Sequence, residues 1–313
     1  MLSRIADSLY WLDRYQERTD GILRILRTEY VLALDKGTEE PISWRAILDI
    51  FCHLPEERIK DLEHDTKATL KYFITDTTNP NSLRVLLTRA RENARGAQDH
   101  ITKEVWEQVN AMYHYVCSAK LQKKLSGEQP LAMLDGLTEM VTLYNGVSHS
   151  TMPRNMGWSF MNLGKYTERG LITLELYDTL LRGIDHNLET RHDILYWRSL
   201  LLSLSGYELH LKNYRSSDTT RNVAHQVLFN RDFTRSVSYT LHKIRHYLHD
   251  VLSNNHTPEK DRLAMLFGRL HSRIQFADTR QVEETGVDKF LSDIRNELLQ
   301  FNKLLTQIFF SYS

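Results

Sequence analysis

Cysteine is scarce: Cys52 and Cys117 are the only two in 313 residues. Neither belongs to a Cys-x-x-Cys pair, which argues against a disulfide framework and a cysteine-built structural zinc site. Such usage makes a reducing cytoplasm the expected location. Long apolar runs are missing too. No stretch approaches the roughly 18 apolar residues of a membrane span, so no spanning helix and no membrane partner is expected. The opening Met1-Leu2-Ser3-Arg4-Ile5-Ala6-Asp7-Ser8 lacks the basic-then-apolar pattern of a signal peptide. Net charge is absent: 40 basic residues balance 40 acidic ones. That balance speaks against a nucleic-acid partner, because dedicated binders carry a basic excess. No phosphate-binding glycine loop, nucleophile elbow or zinc-protease helix occurs.

Proline and glycine are few, six and 13 respectively. Long stretches therefore lack helix breakers. Strand signals are nearly missing, with no alternating Val/Ile/Thr run. The composition implies an all-α fold, a multi-helix bundle. Ile5, Leu9, Leu12, Thr19, Leu23 and Leu26 share one stripe at helical spacing, which predicts a first helix over 2–34, ended by Asp35-Lys36-Gly37-Thr38. Further helices are expected over 43–53, 55–74, 83–98, 102–125 and 130–144, with Asn145-Gly146 as a helix end. His149 to Asn155 reads as the central linker, dividing a half over 1–150 from a half over 151–313 within one domain. After it come helices over 156–183, 188–214, 219–229, 234–253, 258–278 and 284–311.

The chain uses one short stretch twice. Tyr15-Gln16-Glu17-Arg18 returns as Tyr166-Thr167-Glu168-Arg169, an offset of 151 residues. Trp44-Arg45-Ala46-Ile47-Leu48 resembles Trp197-Arg198-Ser199-Leu200-Leu201, and Asn81-Ser82-Leu83 resembles Arg235-Ser236-Val237, at offsets of 153 and 154. Three matches in one order predict two similar helical halves.

Arg14, Glu17 and Arg18 stand at i, i+3 and i+4, close enough to touch on one helix. Tyr10, Arg14, Glu17 and Gly21 form a face opposite the apolar stripe. That face is either solvated or a second buried face, in which Glu17 and Glu168 accept charge-assisted hydrogen bonds from arginines. Arg84, Arg89, Arg91, Glu92 and Arg95 make a second charged cluster, in which Arg84, Arg91 and Arg95 share a face that is either solvated or suited to a phosphate, a carboxylate or the glutamates of the first helix. Arg154 and Arg169 complete the candidate binding residues; Arg154 stands at a helix entrance, beside Pro153 and Gly157, where anions are favoured. His242, His246 and His249 lie on one helix face, but three ligands on a straight helix cannot converge on one ion. Glu189-Thr190-Arg191-His192 is a lone Glu-x-x-His, short of a di-iron site. No metal and no cofactor is expected.

The opening Leu2-Ser3-Arg4, then Ser8-Leu9-Tyr10-Trp11 and Arg14-Tyr15-Gln16-Glu17-Arg18, resembles that of the bacterial alpha-E family. The likeness continues through Arg89-Ala90-Arg91-Glu92-Asn93-Ala94-Arg95, Glu104 to Asn110, Thr151-Met152 and Gly157-Trp158-Ser159-Phe160 to Arg169. The family is α-helical and has no established reaction. Members occur beside or fused to a circularly permuted ATP-grasp protein and a transglutaminase-like peptidase, so the resemblance implies those two partners and a part in peptide or amide chemistry. It carries over Arg14, Glu17, Arg18, Arg91, Glu92, Arg95, Glu168 and Arg169 as the family's polar residues. Two departures stand out. Gly164-Lys165 replaces Gly-Arg, and Asp232-Phe233-Thr234-Arg235-Ser236 keeps only Arg-Ser of an Asn-Pro-Arg-Ser turn. A rigid turn and a bidentate donor are absent there.

Three functions follow as expectations. The first is an accessory protein holding a peptide, an anionic ligand or a partner enzyme of an ATP-grasp-linked system. The second is an enzyme using Glu17 and Glu168 as general acid and base, which requires an open cleft and a raised carboxyl pKa. The third is a structural scaffold, with a homo-oligomer left open.

Overall fold

The computed structural model describes residues 2–36, 42–52, 54–127, 130–253 and 257–310. These hold sixteen α-helices and no strand. No described helix is long and apolar enough to cross a membrane. The expected boundary residues Gly37, Thr38, His53 and Ser311 lie outside the described residues.

The backbone divides into two compact units. One is Trp11–Arg154. It holds most of α1 (Ser3–Lys36), then α2 (Arg45–Phe51), α3 (Glu56–Glu63), α4 (Thr66–Ile74), α5 (Leu83–Gly96), α6 (Lys103–Val116), α7 (Ala119–Ser126) and α8 (Pro130–Thr151). The other is Asn155–Ser313 together with Met1–Tyr10. It holds α9 (Met156–Arg182), α10 (Ile194–Ser203), α11 (Tyr207–Asn213), α12 (Thr219–Leu228), α13 (Val237–Leu252), α14 (Pro258–Gln275), α15 (Thr279–Thr285) and α16 (Val287–Phe309), along with the start of α1.

Four expected helices differ from the observed ones, and capping or packing explains each. Residues 55–74 form two helices, because Asp65 turns its side chain to the Ala68 N–H and starts α4 afresh. Residues 102–125 break at Ser118, which caps α7 through the Leu121 N–H. The stretch 188–214 holds two helices, divided at Ser205 and Gly206. Ser205 has φ of 56°. A Cβ on Gly206 would stand 2.6 Å from Gln226 Nε2 and 2.7 Å from the Phe233 ring. Only glycine lets the chain pass there. Asn145-Gly146 does not end α8, which runs on to Thr151. A mid-helix glycine costs only about 1 kcal/mol against alanine, and the buried row Val141, Tyr144 and Ser148 continues past it.

Each unit buries a tryptophan completely, Trp44 in one and Trp197 in the other. In the Asn155–Ser313 unit, α9 packs on α13, α13 on α14, α14 on α16, and α16 returns to α9. The ring closes around Leu241, Phe267, Ile294 and Phe301, all buried, with Phe267 and Phe301 at 4.9 Å between ring centres. In the Trp11–Arg154 unit, α5 packs on α6 and α6 on α8. Helix α1 joins α8 through Tyr144 donating to Asp13 and through the Arg27–Asp135 ion pair.

The turns before α5 and α13 share a hydrogen-bond pattern. Asp76 Oδ1 accepts from the Thr78 N–H at 2.8 Å, and Asn230 Oδ1 accepts from the Asp232 N–H at 2.9 Å. The N–H of Ser82 donates to Asn79 O, and that of Ser236 to Phe233 O. Ser82 and Ser236 then cap their helices through the N–H groups of Val85 and Tyr239. The loss of a rigid turn expected at Asp232–Ser236 therefore does not occur. The Asn230 side chain and a Ser236 hydroxyl bonded to Asn230 O at 2.5 Å hold the turn without proline. Loss of a serine cap costs about 1 kcal/mol. Ser82→Ala is expected to lower stability by about that amount. Ser236→Ala should cost more, since its hydroxyl makes the additional bond. Urea denaturation of the two variants checks the order.

Candidate functional site

A charged residue in the middle of a long packed helix loses its water, and must find partners within reach of its side chain. The two Tyr-x-Glu-Arg segments occupy such places on α1 and α9. Glu17 and Glu168 are each 2 % exposed. Neither is without a partner.

The arginines following them reach equivalent places. In the Trp11–Arg154 unit, Arg18 Nη1 donates to Asn81 Oδ1 at 2.9 Å. In the Asn155–Ser313 unit, Arg169 Nη1 donates to the carbonyl of Thr234 at 3.3 Å. Asn81 and Thr234 belong to the two turns that start α5 and α13. Each arginine thus ties a long helix to the turn that launches its neighbour. Thr173 adds a parallel tie, its hydroxyl donating to Arg235 O at 3.0 Å. Arg169 also lies 5.1 Å over the Tyr166 ring, a cation–π contact.

A conserved Glu-Arg motif also marks a family of known sequences. Residues 1–310 match Alpha-E, described as a predicted alpha-helical domain with a conserved ER motif. The chain belongs to the Alpha-E family. It is also 21 % identical, over 97 % of its length, to uncharacterized proteins of Mycobacterium bovis (Mb2597) and Mycobacterium tuberculosis (MT2643 and Rv2567). The chain spans only 36 % of the length of these relatives. No solved structure matches it.

The other candidate residues of this Alpha-E chain scatter. Arg14 is buried with its guanidinium 4.7 Å from the Trp11 ring. Arg91 donates to Asn110 Oδ1 at 2.6 Å and lies 4.7 Å over Tyr113, so α6 holds it. Glu92 and Arg95 are exposed, and make no side-chain hydrogen bond or ion pair among the described residues. Arg154 is exposed and donates to the carbonyls of Met152 and His149, closing the end of α8. Among the described residues no three His, Cys, Asp or Glu side chains gather where a metal could sit.

Asp13 and Tyr144 form the pair that motif reading passed over. Asp13 is buried and accepts from the Tyr144 hydroxyl at 2.5 Å. Burial, then the Asp13 charge, pushes the Tyr144 hydroxyl well above its ordinary pKa. The signal available was an acid directly after Leu9 and Leu12 on the apolar stripe, and a tyrosine in the apolar row of α8. Asn81 and Asn110 stand in the repeat and in the family likeness, but nothing in either marks them as the acceptors for Arg18 and Arg91.

Removing one member of a buried charged contact strands the other, at about 3–5 kcal/mol. Glu17→Ala and Glu168→Ala are each expected to lower stability by that order in urea denaturation. A change under about 0.5 kcal/mol in both would mark solvated surface groups instead. Tyr144→Phe, which takes the donor from buried Asp13, should cost about 1–3 kcal/mol.

Proposed function

We propose that this Alpha-E chain is a noncatalytic accessory module that holds a partner or a peptide for an ATP-grasp-type ligase. The burial of Glu17 and Glu168 carries the reading. A general acid or base has to meet substrate, and side chains with 2 % exposure are committed to the interior. The attachment of Arg18 and Arg169 to their own turns supports an internal role for the motif as well. Binding is then left to groups at the surface. Glu92 and Arg95, exposed on α5, are suited to a partner protein of mixed charge or to an anionic peptide terminus. The mycobacterial relatives are nearly three times longer, which fits a module that works beside other polypeptide. The transglutaminase-like protein is the second partner the family likeness implies.

We also infer that the chain arose by internal duplication. Two sets of eight helices follow one another, and the turns before α5 and α13 share three hydrogen bonds at equivalent positions, the Asp76 or Asn230 turn bond, the Ser82 or Ser236 N–H bond and the serine cap. In an experimental structure, superposing residues 1–125 on 153–280 should bring Tyr15 onto Tyr166 and Trp44 onto Trp197.

Co-purification tests the accessory reading. The tagged chain, expressed with an ATP-grasp protein of the kind the family likeness implies, is expected to retain that ligase and to carry bound peptide visible by mass spectrometry. Charge reversal at the exposed positions, Glu92→Lys and Arg95→Glu, should weaken the complex without altering the thermal melt. Failure to retain the ligase, with amide turnover by the isolated chain that is lost in Glu17→Gln and Glu168→Gln, would establish the acid–base reading in its place.

A further inference from the structure

Away from the Glu-Arg segments, the α13–α14 pair encloses a cavity of about 130 Å³. Arg231 reaches it from the turn before α13. Ser238, His242 and Arg245 line it from one face of α13, and His271 and Gln275 from α14. The His242 and His271 rings stand 6.5 Å apart. No carboxylate lines the cavity. Neither Arg231 nor Arg245 makes an ion pair or side-chain hydrogen bond among the described residues.

His271 is the telling member. It is 8 % exposed and makes no hydrogen bond among the described residues. Its surroundings oppose protonation: burial, with Arg245, His242 and Arg231 nearby, brings the imidazole down to about 4. Two permanent cations and two imidazoles with no acid between them form a concentration of positive potential in a chain that is neutral overall. Guanidinium groups present paired donors matched to phosphoryl and carboxylate oxygens.

The same three residues Arg245, His271 and Gln275 also border a groove of about 770 Å³ running along α13 and α14. Its walls are mostly apolar, with Leu248, Leu252, Ala264 and Phe267, and Phe276 stands at 77 % exposure on its rim. A groove of that size, exposing mainly apolar surface beside polar groups that include Lys260 and Asp261, is of the order of a small-molecule site.

We propose that the cavity and groove together bind an organic phosphomonoester, its dianionic phosphoryl group between Arg231, His242, Arg245 and His271 and its organic part along the groove. The two unpaired arginines match the two charges of the phosphoryl group, which a carboxylate would answer only by half. The site involves none of the Glu-Arg residues, so it stands whether or not the accessory reading does.

Calorimetric titration of the full chain with inorganic phosphate and with phenyl phosphate tests the proposal. Both should saturate, phenyl phosphate more tightly. Arg245→Gln and Arg231→Gln change exposed side chains and should leave the melting temperature unaltered. Each is expected to weaken both ligands about tenfold, the loss of one charge-assisted contact. Phe276→Ser should remove the advantage of phenyl phosphate and leave inorganic phosphate unchanged. In NMR, phosphate should shift the His271 ring signals. The proposal is overturned if neither ligand saturates by about 10 mM, a range already weaker than about −4 kcal/mol of binding. It is equally overturned if both arginine variants bind like the wild type, if Phe276→Ser leaves the advantage intact, or if benzoate binds as tightly as phenyl phosphate.

Discussion

Two arginines bonded to two turns hold the architecture together. Arg18 and Arg169 sit at mid-length on α1 and α9, and each donates to the turn that launches α5 or α13. That turn decides where the next long helix begins and in which direction it leaves. A hydrophobic contact at the same place would hold the helices side by side, but would tolerate sliding. A guanidinium bonded to one amide oxygen or one carbonyl does not. The serine caps at Ser82 and Ser236 finish the turn.

The cost of the arrangement is buried charge. Glu17, Glu168, Asp13 and Arg14 all lie inside, where an unmatched charge would outweigh many apolar contacts. Asp13 is matched by the Tyr144 hydroxyl, and Arg14 rests on Trp11. A set of residues that looks like catalytic equipment in a linear sequence thus lies buried along two long helices. Burial is the property that bears on their use, because acid–base chemistry needs contact with a substrate.

Charge is handled differently on α13 and α14. There Arg231 and Arg245 are exposed and make no ion pair among the described residues, and His271 beside them makes no hydrogen bond among those residues. The overall neutrality of the chain, which speaks against a nucleic-acid partner, hides this local imbalance. Composition averages over the whole surface, whereas a ligand meets only the few charges around one cavity.

The helical class and the family were both legible in the linear order of residues. Few prolines, few glycines and no alternating strand pattern leave little besides helix, and the Tyr-x-Glu-Arg segments carry the family likeness. Helix periodicity also marked where α1 runs, since long amphipathic spacing survives without knowledge of neighbours. The breaks at Asp65, Ser118 and Ser205-Gly206 were less legible, because a cap is a local choice that competes with continuing the helix, and packing decides between them. The same holds for α8, which runs through Asn145-Gly146 because its buried row continues. What each charged residue touches lay beyond the sequence altogether. Arg18 and Asn81 are 63 positions apart, Asp13 and Tyr144 131 apart, and Arg231 comes near His271 only when two helices pack. Spacing along a chain reports contacts within one helix, whereas the partner of a buried charge is set by which helices meet, and that is a property of the folded molecule alone.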